Sequence, residues 1–135
     1  MDSGRSRTRR GEGKAAKPLV LLWLLVGVAC APHRGPARDV VVLARGMSFV
    51  LESSPDVPNP VIPLRAGERV RLVLKNDSPG LLHDIVIPEL GVEVEQMRAG
   101  ESRAITFTVP ATPGRHEYKC RPHSAMMQGF VEITS

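Results

Sequence analysis

From Asp39 onward the chain is a succession of short apolar runs: DVVVLA, MSFVL, VIPL, RVRLVLKN, LLHDIVI, SRAITFTV, HEYKC and GFVEIT. Between them stand ESSPDVPNP, RAGE, NDSPG and PATPG, rich in the Pro, Gly, Asn and Asp that reverse a chain. Runs this brief suit strands, whereas packed helices need about 10–12 residues. Their Val, Ile, Thr and aromatic content fits a pleated surface. In SRAITFTV the alternation is explicit, with Ala104, Thr106 and Thr108 on one face and Ile105, Phe107 and Val109 on the other. Outside PELGVEVEQM, which reads as a short helix or a loop, no helical periodicity persists. The expected fold is all-β, a Greek-key sandwich or barrel of about eight strands, and roughly 100 residues suffice to bury a two-sheet core.

The first 29 residues do not share this texture. MDSGRSRTRRGEGKAAK carries six basic residues against two acidic ones, and PLVLLWLLVGVA supplies about a dozen apolar residues ending in small ones. A basic start, a short apolar stretch and a small-residue end describe a secretory signal over residues 1–29, since a spanning helix needs about 20 apolar residues. Cys30 follows Val28 and Ala29 directly, so this stretch resembles a bacterial lipobox whose cysteine becomes the lipidated first residue. Gly27 stands where such boxes usually carry Leu, and ordinary cleavage near Cys30 or an uncleaved anchor are the other readings. Residues 30–38 form a Pro/Gly/Arg-rich tether, with His33 solvated in it, and residues 39–135 form one domain. The expected location is the periplasm or the outer face of a bacterial membrane, with membrane contact only through a lipid on Cys30.

Charge follows the same division. Of 18 basic and 14 acidic residues, 12 of each remain from Cys30 onward. The mature part is formally neutral, so the sequence pI of 9.6 belongs to the leader. Nucleic-acid binding, which calls for a basic face on the folded domain, is excluded.

Near the C-terminus YKCRPHSAMMQGF crowds Cys120, His123, Met126 and Met127 into eight residues. Buried Met and free Cys are ordinary core residues. Thiolate, imidazole and thioether together nevertheless suit copper better than zinc, calcium or magnesium, and a Cys with two His and a weak Met is the blue-copper ligand set. The second histidine required is His83, in LLHDIVI just after the NDSPG turn, because a Greek-key sandwich brings distant loops together at one end. His116 shares the face of Tyr118 and Cys120 by alternation and reads as a partly buried, satisfied side chain. In an exported chain a single Cys120 is at risk of oxidation unless a metal holds it.

At these residues the chain resembles the cupredoxins, the small blue copper proteins such as plastocyanin, amicyanin and azurin. The resemblance spans about Asp39 to Thr134 and rests on VRLVLKN followed by an isolated histidine, on FTVPATPGRHEYKC, and on a ligand loop running into GFVEI. It implies copper ligands His83, Cys120, His123 and one methionine. Amicyanin-like spacing selects Met126. The run HSAMMQG is similar to the azurin segment HSALMKG and, like the position of Gly129, selects Met127, which is preferred here with Met126 as the alternative. One departure is Asp84, where the family usually has Asn to tie the ligand loops together. A carboxylate accepts the same hydrogen bonds and adds a negative charge that should favour Cu(II).

The function implied is one-electron transfer between redox proteins by a monomer using a single Cu(II)/Cu(I) ion. His123 is expected to expose a ring edge through an apolar patch of Leu81, Leu82, Pro122, Ala125 and Met126, suited to brief docking. The alternative is periplasmic copper delivery, as a carrier or assembly factor. An enzyme is not expected. A binuclear centre needs a second cysteine in the loop, and nitrite reductases and multicopper oxidases place histidines beside the copper cysteine, whereas Lys119 and Arg121 stand here. A metal-free sandwich using this face for protein contact is opposed by four ligand types in register.

Overall fold

In the computed structural model, which describes residues 35–135, the apolar runs become nine strands. They are β1 (Arg38–Arg45), β2 (Ser48–Leu51), β3 (Ile62–Arg65), β4 (Arg69–Asn76), β5 (His83–Ile87), β6 (Val92–Met97), β7 (Ser102–Thr108), β8 (Gly114–Lys119) and β9 (Gln128–Thr134). The signal segment, Cys30 and His33 lie outside the described residues, and β1 begins at Arg38, the last residue assigned to the tether. No helix among the described residues is long and apolar enough to cross a membrane.

One sheet has the order β2-β1-β4-β7 and the other β3-β9-β8-β5-β6. The pairs β1–β4 and β3–β9 are parallel although no helix connects them, because the chain passes between the two sheets before each partner returns. This is the expected Greek-key sandwich. Each strand turns one set of alternate residues inward: Val40, Val42 and Ala44 from β1, Val70, Leu72 and Leu74 from β4, Val131 and Ile133 from β9. Arg69 and Arg71 stay at the surface between them, as the period of two requires.

The ninth strand is β6, within the stretch expected to be a short helix or a loop. Pro88–Leu90 makes a single 3₁₀ turn, closed by Gly91 at φ 62° with its N–H bonded to the carbonyl of Pro88. VEVEQM then runs antiparallel to β5, burying Val92, Val94 and Met97 and exposing Glu93 and Glu95. Its alternation is visible in the sequence, but Pro-Glu-Leu-Gly ahead of it imitates a helix start.

The layers are tied at the centre by Tyr118 of β8. Its ring meets Phe49 edge to face at 5.7 Å between centroids, and its Oη donates to the carbonyl of Pro60 at 2.7 Å. Gly129 lies opposite Tyr118 in the β8–β9 register, and a Cβ there would overlap the tyrosine ring. The ring thus occupies space that only glycine leaves free.

β1 and β4 run parallel to one end of the sandwich, where Ala44 stands level with Asn76. Beyond Asn76 the chain makes the 77–82 loop and returns as β5 with His83 first. The 77–82 loop therefore lies at the end of the sandwich away from Arg38.

Tyr118→Phe should leave the Pro60 carbonyl unpaired in the core and cost about 1–3 kcal/mol. Gly129→Ala should cost at least as much by overpacking, about 1–3 kcal/mol. Urea unfolding of both variants reads these losses, and a midpoint unchanged in either would contradict the packing described.

Candidate metal centre

His83 opens β5, a strand buried along its whole length between β6 and β8. The register with β6 slips between His83 and Ile85, an irregularity of the kind that re-aims side chains beside sites. The preceding loop is held by Asn76. Its Nδ2 donates to the carbonyls of Leu81 (2.9 Å) and Met97 (3.0 Å), and its Oδ1 accepts the N–H of Ser78 (3.0 Å). Ser78 Oγ in turn donates to the carbonyl of Ala44 at 2.9 Å.

The second loop closes on itself. Cys120 N–H donates to the Met127 carbonyl at 2.9 Å, and the N–H groups of Met126 and Met127 both reach the carbonyl of His123, at 3.0 and 2.9 Å. Between them Arg121–His123 form a 3₁₀ turn with Pro122 near its start. A third segment braces this loop: Asn59 donates from Nδ2 to the Met126 carbonyl (2.8 Å) while its Oδ1 accepts the N–H of Phe49 (3.0 Å).

These supports bring the expected residues together. Sγ of Cys120 lies 3.7 Å from Nδ1 of His83 and 3.6 Å from Nδ1 of His123, and the three donor atoms all lie within 4.8 Å of one another. Metal–thiolate and metal–imidazole bonds of about 2.3 and 2.0 Å, opened to about 110–120°, place sulfur and nitrogen about 3.5–3.7 Å apart. The donors are thus spaced for one ion. His83 and Cys120 are fully buried and His123 partly so.

Burial governs the protonation of the two buried donors. Burial, and next the charge of His123, hold the His83 imidazole below its ordinary range, while Asp84 and the Gly46 backbone oppose this more weakly. The neutral ring is the form that ligates a metal. Nδ1 of His83 is the ring nitrogen directed at the thiol. Burial pushes the Cys120 thiol up, and the Asp84 carboxylate adds to this, whereas the backbone amides of Asp84 and His123 pull it down. Amides directed at sulfur stabilise a thiolate, and a buried thiolate requires a positive partner.

The two methionines part company here. Met127 is fully buried, while Met126 is 57% exposed. Leu82, Pro122 and Ala125 are also exposed, the last two flanking His123 in the chain, and Leu81 is half-buried. His116 pairs with Glu89 through Nδ1 and takes no part in the cluster. Asp84 accepts from the backbone N–H of Arg121 at 2.8 Å, tying the loops together, but its charge does not stand alone, because Arg121 Nε reaches its second oxygen at 2.7 Å. Asn59 and Asn76 were not anticipated from sequence. Within SPDVPNP and KNDSPG they carry only the signal of turn formers.

Residues 65–134 match the copper-binding proteins of the plastocyanin/azurin family. The chain belongs to that family. Among solved structures, auracyanin from the photosynthetic bacterium Roseiflexus castenholzii superposes with a TM-score of 0.60 at 19% identity, over 75% of this chain and 100% of that one. Auracyanin B gives 0.60 at 25% identity, covering 75% and 91%. Copper nitrite reductase from Nitrosomonas europaea gives 0.58 at 22% identity over 73% of this chain but only 41% of its own, so the fold also serves as a domain of larger copper enzymes. Comparison with curated protein sequences finds no match. Family and donor set agree on the cofactor: His83, Cys120 and His123 with Met127 fit a single type 1 copper ion.

Asn76→Ala should remove three bonds behind the His83 loop and cost about 2–3 kcal/mol. Urea unfolding gives the loss, and hydrogen exchange should quicken most at the amide of Ser78. Unchanged protection there would contradict the bracing role.

Proposed function

We propose that this protein is an exported one-electron carrier that would hold copper through His83 Nδ1, Cys120 Sγ, His123 Nδ1 and the thioether of Met127. The observation that carries this reading is the convergence of one sulfur and two imidazole nitrogens within 4.8 Å. When bound, copper supplies the Cu(II)/Cu(I) couple. The chain supplies rigidity: Cys120 and His83 sit at the ends of strands, and both ligand loops are cross-braced by Asn59, Asn76 and Asp84. A site that cannot relax toward either oxidation state's preferred geometry needs little rearrangement during transfer. Full burial supports Met127 over the exposed Met126 as the thioether donor.

Electron exchange is assigned to the edge of His123, the one ligand of the cluster that is not fully buried. The surrounding apolar residues Leu82, Pro122, Ala125 and Met126 supply a small patch for a short-lived encounter with a redox partner. Two fully buried ligands weigh against the copper-delivery alternative, which requires an exchangeable site. The likeness to auracyanin, solved in a dithionite-reduced state, supports redox work. Export, to the periplasm or the outer membrane face, rests on the pattern of residues 1–29.

Titrating the purified protein with Cu(II) should produce an intense visible thiolate-to-copper band, abolished by Cys120→Ser. A colourless wild type would sink the reading. Met127→Leu should raise the reduction potential by at least about 59 mV, a tenfold shift in the one-electron equilibrium, because losing a donor penalises Cu(II) more than Cu(I). Met126→Leu should leave it unmoved, and voltammetry of the two variants decides between the methionines.

A further inference from the structure

The residue after the upstream histidine and the residue after the cysteine meet across 37 positions of sequence. Asp84 has a side chain only 2% exposed, and one residue satisfies both of its oxygens: the backbone N–H of Arg121 at Oδ1 and the guanidinium Nε at Oδ2. Nη2 of the same guanidinium continues to Glu93 on β6. A backbone bond alone would fasten the loops, and the neutral Asn usual at this position in the family would accept it. A buried carboxylate brings a charge besides, and such a charge is tolerated only with a paired and hydrogen-bonded partner.

We propose that Asp84 and Arg121 form an ion-pair clamp, with Arg121 a positioning residue that fastens the copper loop to β5 and offsets the buried carboxylate's bias toward Cu(II), while Glu93 on the outer side of the same guanidinium is half-exposed and screened by water. The potential is then set by the pair and not by either charge. This rests on the type 1 copper reading above. The sign follows from Coulomb's law: an uncompensated anion near the metal stabilises the more positive ion and lowers the potential, and an uncompensated cation does the reverse. Arg121 is half-exposed, so water tempers its effect but leaves the sign unchanged.

The test uses the full chain as Arg121→Gln, Asp84→Asn and the double variant, with Arg121→Lys as a conservative control. In the copper-loaded proteins Arg121→Gln should shift the one-electron equilibrium about tenfold toward Cu(II), about 59 mV downward. Asp84→Asn should move it upward, and the double variant and Arg121→Lys should lie near the parent. A residue that merely braced the loop would move both single variants in one direction, and that result, or no movement, would overturn the clamp. Urea unfolding of the copper-free proteins provides a second readout. Arg121→Gln should lower the folding constant roughly tenfold, and adding Asp84→Asn should recover most of it, whereas purely additive losses would overturn the clamp. If no variant ever takes up copper with a thiolate band, the copper reading fails, and the unfolding cycle still decides the clamp.

Discussion

The structure is organised around the problem of keeping a sulfur nucleophile in a dry interior. Cys120 is wholly buried, so ionising it without a counter-charge is costly, and burial accordingly pushes the thiol up. Two imidazole nitrogens stand less than 4 Å from the sulfur, and two backbone amides favour its anionic form. One sulfur and two ring nitrogens within 4.8 Å of one another make a donor set suited to a single cation. Cys120, His83 and His123 would hold copper there, the thiolate supplying the negative charge and each ring a nitrogen lone pair.

Holding those donors in place is the work of residues with no metal chemistry of their own. Asn59 and Asn76 each bridge segments that meet only in the folded chain, and Tyr118 fastens β8, the strand that delivers the cysteine, to the loop before β3. The sandwich frame matters for the same reason. Because β5 and β8 are neighbours in one sheet, the start of one and the end of the other meet at the same edge. A histidine and a cysteine 37 residues apart are thereby brought within coordination range.

Much of this was legible in advance because the signals were local and periodic. Short apolar runs between turn formers announced the strands, alternation in SRAITFTV announced the two faces of β7, and the spacing from Cys120 to His123 and the methionines announced a metal loop. The β6 strand was obscured because the 3₁₀ turn at Pro88–Leu90 shares its composition with a helix start. Asn59 and Asn76 escaped notice because turn residues are common, and what distinguishes these two is their partners in distant segments. The charge of Asp84 was visible, but its pairing with Arg121 depended on side-chain direction.

By itself the sequence determined the fold class, the chemistry of the donor atoms and their order along the chain, since these follow from residue type and from periods of two along a strand. Only tertiary structure decided which donors converge, that Met127 is inside and Met126 outside, and that the carboxylate beside His83 is paired. Those outcomes depend on strand pairing between remote segments, and pairing is a property of the whole core, which no local run of residues contains.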